Sequence, residues 1–103
     1  MSYVVIAKWI ARDGHEDAVA EAIRKLIPPS RAESGCLEYR AHQSVSDSLV
    51  FLLYEEYVDE AAYGAHAESG HFARHAIGEG IPLLKARERE FYTSMDADPP
   101  PVP

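Results

Sequence analysis

Three of the five histidines fall within residues 66–75, HAESGHFARH, a concentration found nowhere else in the chain. An imidazole can accept a proton near neutral pH, ligate a transition metal, or sit as a satisfied polar group on a buried face. His71 and His75 stand four residues apart, which places them on one helical face and invites a metal reading. A zinc site there needs further ligands, yet the single cysteine, Cys36, lies in another segment and no His-Glu-x-x-His pattern occurs. No metal site is therefore expected. Acid/base chemistry asks for less: a base, a donor for a developing oxyanion and a dry cavity. His66 is the candidate base, Tyr63 the hydroxyl donor, and Glu55 in YEEY an acceptor that orients the imidazole. Trp9, Tyr39, Phe51 and Phe72 can stack on a planar substrate, with His71 at the entrance. Each has a plainer alternative: a hydrogen-bonded core histidine, an ordinary ion pair, aromatic core packing. His75, His15 and His42 are expected at the surface, and Cys36 as a small buried residue at a strand start.

These side chains need elements to hold them. Residues 3–12, YVVIAKWIAR, read as a strand with both faces largely covered. Asp13 and Glu16 form a capping-box pattern, and Val19, Ala22, Ile23, Leu26 and Ile27 then recur at helical spacing, so a helix begins near Gly14. Pro28 and Pro29 should kink or stop it, with Ser30 and Glu33 offering a second capping box and a short restarted turn closing at Gly35. Segments 36–44 and 49–57 read as two strands of a hairpin turned by VSDS, the second apolar on both faces. Asp59 caps a helix through Ala61, Ala62, Tyr63 and His66, and Ser69 and Gly70 interrupt it. Phe72, Ala76 and Ile77 suggest a second helical piece, which precedes a last strand, KAREREFYT.

The order β-α-β-β-α-β is that of the α+β ferredoxin-like unit, a four-stranded antiparallel sheet with helices on one face. Strands apolar on both sides leave the other sheet face uncovered, so a homodimer joined sheet to sheet is expected. The 103 residues suit one domain over 1–95, followed by a flexible proline-rich tail, DADPPPVP, at 96–103. A formal charge of −7 repels phosphate backbones and anionic lipid, and Arg87 and Arg89 alternate with Glu88 and Glu90, leaving no basic patch. Nucleic acid and membrane are thereby disfavoured as partners. The N-terminal MSYVVIAKW has neither a basic leader nor a cleavage site, and one cysteine forms no internal disulfide, so a cytoplasmic location is expected.

The segments SRAESGCLEYRAH and FLLYEEYVDEAAYGAHAESGHF, with the closing FY strand, resemble the antibiotic biosynthesis monooxygenase family over roughly residues 3–93. The resemblance implies a dimeric α+β barrel with a pocket between sheet and helices, and cofactor-independent oxygenation of electron-rich phenols such as a hydroquinone, quinol or anthrone. Similar domains also serve as isomerases, haem degraders and proteins of unknown role, and the alternative readings of this chain are an isomerase of a small metabolite and a non-catalytic dimeric binding or stress-response protein. The haem degraders place an Asn in the first strand and a Trp on the second helix; here that strand has no Asn and the helical position carries His66, which makes haem the less expected ligand.

Overall fold

The chain runs β1 (Tyr3–Ala11), α1 (Glu16–Arg31), β2 (Cys36–Gln43), β3 (Val50–Tyr57), α2 (Glu60–Ala67), a π-helix (Phe72–Gly80), one 3-10 turn (Ile81–Leu83) and β4 (Leu84–Thr93). The structure is a computed structural model that describes residues 1–96; the proposed tail beyond Asp96 lies outside the described residues. All four strands pair antiparallel in the order β2-β3-β1-β4, the expected ferredoxin-like sheet. No helix among the described residues is long and apolar enough to cross a membrane.

Alternation along the strands sorts the side chains. Val5, Ala7, Trp9 and Ala11 of β1 and Phe51, Leu53, Glu55 and Tyr57 of β3 are buried beneath the helices. On the opposite face Val4, Ile6, Ile10 and Val50 are half-buried and Leu52 is exposed. Register then sets which groups meet on this face: Tyr39 and Val5 flank Glu55, while the buried Phe51 and the exposed Arg87 flank Trp9. Over this face α1 lays Val19, Ala22, Ile23 and Leu26, an apolar stripe at helical spacing.

The helices depart from the sequence expectation in three places. First, α1 starts at Glu16 with His15 as its cap and no side-chain capping bond, so the Asp13 capping box does not form; Asp13 instead lies 3.8 Å from Lys85. Second, α1 neither stops nor restarts at Pro28 and Pro29 but runs through both to Arg31. The rings remove two amide donors, which leaves the carbonyls of Arg24 and Lys25 without their helical partners; both residues lie on the exposed side of α1. The Ala32 amide donates to the Pro28 carbonyl at 3.1 Å, and the Glu33 amide to the Ser30 carbonyl at 3.2 Å, so the second capping box is replaced by backbone bonds. Third, the piece from Phe72 is π-helical: its wider turn directs Ala76 and Gly80 inward and leaves Ile77 56% exposed, not buried. The Asp59 cap of α2 forms as expected, with its side chain accepting from the Ala62 amide at 2.9 Å.

One glycine fixes how closely α2 approaches the segment before β2. A Cβ at Gly35 would lie 2.5 Å from that of Ala62, inside any tolerable contact. The approach brings residues just upstream of Gly35 beneath α2. Gly35→Ala should therefore push the two apart and cost about 1–3 kcal/mol, read as a lowered midpoint in urea unfolding; an unchanged midpoint would show that the contact is not tight.

Candidate functional site

His66 lies in the last turn of α2 and points onto the sheet, 1% exposed. Its Nδ1 is 2.7 Å from Oε2 of Glu33, in the segment between α1 and β2. His71, in the turn between α2 and the π-helix, brings its Nε2 to the same oxygen at 2.5 Å. An ionised carboxylate only accepts, so both imidazole nitrogens facing Glu33 donate, and His66 keeps Nε2 as an acceptor. That nitrogen lies 3.8 Å from Glu55 Oε1, too far for a hydrogen bond. Glu55 is held in turn by the Tyr57 hydroxyl, which donates to the same Oε1 at 2.6 Å. Ser69 locks the intervening turn, its Oγ donating to the His66 carbonyl at 2.7 Å and accepting from the Phe72 amide at 3.2 Å.

A cleft opens beside this cluster. Trp9, Tyr39, Glu55, Tyr63, His66 and Phe72 line it, with Arg87 and Arg89 of β4 alongside. Its free volume is only ≈ 10 Å³, about that of one water. The rings of Tyr39 and Phe72 sit 5.4 and 5.3 Å from the His66 ring, and Tyr63 stacks on it at 6.3 Å. The Tyr63 hydroxyl accepts from Arg89 at 3.0 Å, which leaves its own proton to donate. The Trp9 Nε1–H is buried with no hydrogen-bond partner among the described residues.

Six of the eight residues chosen from the sequence thus share one cleft. His71 stands behind His66, joined to it through Glu33. Phe51 does not join them: it is buried on the same sheet face but lines a separate groove with Ile23, Ile27 and Ala41. Glu55 does not orient His66 by a hydrogen bond; Glu33 does, at the other ring nitrogen. His75 is not solvated, since its side chain is 17% exposed and its Nδ1 bonds Glu79 at 2.8 Å. Turned to different carboxylates, His71 and His75 do not form a pair. His15 and His42 are exposed as expected. Cys36 is half-buried, and burial, then the nearby Glu33, pushes its thiol up to about 11, which keeps it protonated and unreactive. Glu33, Tyr57 and the two arginines were not among the sequence candidates. Tyr57 had a signal, because two-residue alternation puts it on the same face as Glu55.

Burial acts in opposite senses on the two titratable groups of the cleft. Loss of solvent raises the Glu55 carboxyl to about 7, although the Tyr57 bond and Arg87 pull it down. Loss of solvent lowers the His66 imidazole below its usual 6.5, opposed by Glu33, so the ring is mostly uncharged at neutral pH. For Glu55 the unfolded chain releases its proton near 4.5 while the folded chain holds it to about 7; this contribution therefore lowers stability as pH rises between those values. For His66 the unfolded ring takes a proton more readily than the folded one, so its contribution is lost as pH falls below about 6.5. Glu55→Gln keeps an acceptor for Tyr57 and removes the buried charge. It should stabilise the fold at pH 8 by about 1–3 kcal/mol and change little at pH 5, in thermal unfolding at both values; a gain equal at the two pH values would contradict the raised carboxyl.

The comparisons with known proteins agree with this architecture. A model of the antibiotic biosynthesis monooxygenase family matches residues 2–76. YcnE of Bacillus subtilis, named as a candidate monooxygenase, is 35% identical over 71 residues, 69% of this chain and 73% of its own length. Rv0793 of Mycobacterium tuberculosis, named likewise, is 32% identical over 81 residues, 79% of each chain. Among solved structures, PA3566 from Pseudomonas aeruginosa superposes with a TM-score of 0.86 at 35% identity, covering 92% of this chain and 95% of that one. The Rv0793 structure gives 0.85 at 26% identity, covering 94% and 98%. With most of its length matched by the family and its fold shared with these relatives, the chain belongs to the antibiotic biosynthesis monooxygenase family.

Proposed function

We propose that the chain is a cofactor-independent oxygenase of a small, electron-rich aromatic of the hydroquinone, quinol or anthrone type. Membership of the family supports a monooxygenase-like function; the substrate class and the mechanism are inferred from the site. The observation that carries them is the buried His66, tied at Nδ1 to Glu33 and presenting Nε2 to a cleft of aromatic side chains, where loss of solvent disfavours its charged form. In that setting Nε2 removes a phenolic or benzylic proton. The anion, stabilised by the Tyr63 hydroxyl and the unpartnered Trp9 N–H, supplies the electrons that reduce O2. For an anthrone methylene the balance closes without another reductant. A C–O bond forms to give a peroxide, the proton returns, and loss of water leaves the ketone, so that the methylene and one dioxygen become one carbonyl and one water. Glu55, titrating near 7, is placed to take up or return a proton opposite Nε2. The cleft as it stands holds about one water, so a substrate enters by displacing the half-buried Phe72 and the exposed Arg87 at its edge.

The half-buried residues Val4, Ile6, Ile10 and Val50 and the exposed Leu52 support pairing of two copies through the outer sheet face. A second reading, a non-catalytic dimer that binds a small molecule, is favoured by the small free volume beside His66. One experiment separates the two. Oxygen uptake is measured with dihydroxynaphthalenes and anthrones in chelator-treated buffer, on chains shown by light scattering to be dimers. His66→Ala should remain a folded dimer and lose about a hundredfold to ten-thousandfold in turnover, whereas His75→Ala should change little. Uptake retained in folded His66→Ala would remove His66 as the base, uptake by neither protein would favour the binding module, and a monomer at micromolar concentration would remove the dimer.

A further inference from the structure

We infer that Glu33, His66 and His71 form a three-ligand site for a zinc-class divalent transition metal ion, on the side of the His66 ring opposite the cleft. This rests on the cluster alone and does not depend on the oxygenase reading. Two segments distant in sequence, the one before β2 and the end of α2 with the turn after it, deliver one carboxylate oxygen, one Nδ1 and one Nε2, all within 4.8 Å of one another. Two imidazoles and a carboxylate, with a fourth position open, are the donor set of a zinc site that keeps room for water. A second, independent observation points the same way. Glu33 Oε2 accepts from both rings, but Glu33 Oε1 is buried with no hydrogen-bond partner among the described residues. A buried carboxylate oxygen without a partner is costly, and a cation held by the same carboxylate would satisfy it.

The surroundings suit a ligand set as well. Ligating histidines usually donate their remaining N–H to an outer acceptor; Glu55, fixed by Tyr57, is the carboxylate facing His66 Nε2, and at 3.8 Å it must move closer to accept that bond. Metal entry replaces the two ring protons now shared with Glu33. The donor pairs must open from 2.7 and 2.5 Å to about 3.4 Å around a tetrahedral ion bonded at about 2.1 Å, a shift under an ångström for each. His71 can supply it, since it lies in the turn between two helices and is 18% exposed. A metal on Nδ1 leaves the His66 proton on Nε2, so the loaded ring is no longer a base; this consequence alone rests on the proposed function, under which the ion would inhibit proton abstraction at the cleft.

The test uses the untagged full chain, stripped with chelator and titrated with Co2+ as the probe. The expected result is the visible absorption of a low-coordinate Co2+ centre, saturating at one per chain and displaced by Zn2+. His75→Ala should bind as the parent does. His71→Ala, and His71→Gln as a second variant that keeps a polar contact to Glu33, should each lose at least about tenfold in affinity, with folding confirmed by circular dichroism. Absence of the absorption in the parent chain, or the same affinity in both His71 variants, would overturn the inference.

Discussion

A single carboxylate oxygen, Oε2 of Glu33, receives the two imidazoles of His66 and His71, and the site is organised around it. Hydrogen bonds to a charged acceptor are each worth about 1.5–3 kcal/mol, more than neutral ones, and here they are made in a largely buried setting. They set the orientation of His66, decide which ring nitrogen faces the cleft, and tie the turn after α2 to the segment before β2. Several otherwise separate features serve that contact. The continuation of α1 through Pro28 and Pro29 sets where Glu33 emerges; the missing side chain at Gly35 lets α2 come down onto it; and the Asp59 cap fixes where α2 begins, hence which residue of it faces the sheet.

The second constraint is electrostatic. Glu55 and His66 are both buried and both disfavoured in their charged forms, which brings the carboxyl up and the imidazole down toward the same pH range. Such a pair costs stability, as a carboxyl held at about 7 shows. Titratable groups shifted toward neutrality inside a cleft are characteristic of sites that move protons. The aromatic walls, Tyr39, Tyr63 and Phe72, produce the shift by excluding water while leaving one polar edge of each group exposed to the cleft.

Much of this was legible in the sequence. Two-residue alternation identified the strands and the inward face of β3, and the Asp59 cap with Ala62, Tyr63 and His66 at helical spacing placed His66 on the sheet, all of them local signals. Glu33 was not legible, because its partners are 33 and 38 residues away and its own neighbourhood reads equally well as a capping box. The prolines misled for a related reason: their local rule is helix termination, but the residues that lose their helical donors, Arg24 and Lys25, lie on the exposed side, where the loss costs least, and the helix continues. Phe51 illustrates the limit of face assignment. It lies on the correct face of β3, two and four residues from Leu53 and Glu55, yet that displacement along the strand puts it under α1 and away from the cleft.

The claim on which the rest depends is that Glu33 holds the proton of His66 at Nδ1 and leaves Nε2 unprotonated. Long-range proton–nitrogen correlation spectra of the nitrogen-15-labelled, chelator-treated chain at neutral pH report the protonation of each ring nitrogen directly. His66 should appear as the neutral tautomer protonated at Nδ1, and Glu33→Gln should disturb that resonance. A His66 ring protonated at Nε2, or at both nitrogens, at neutral pH would contradict the assignment.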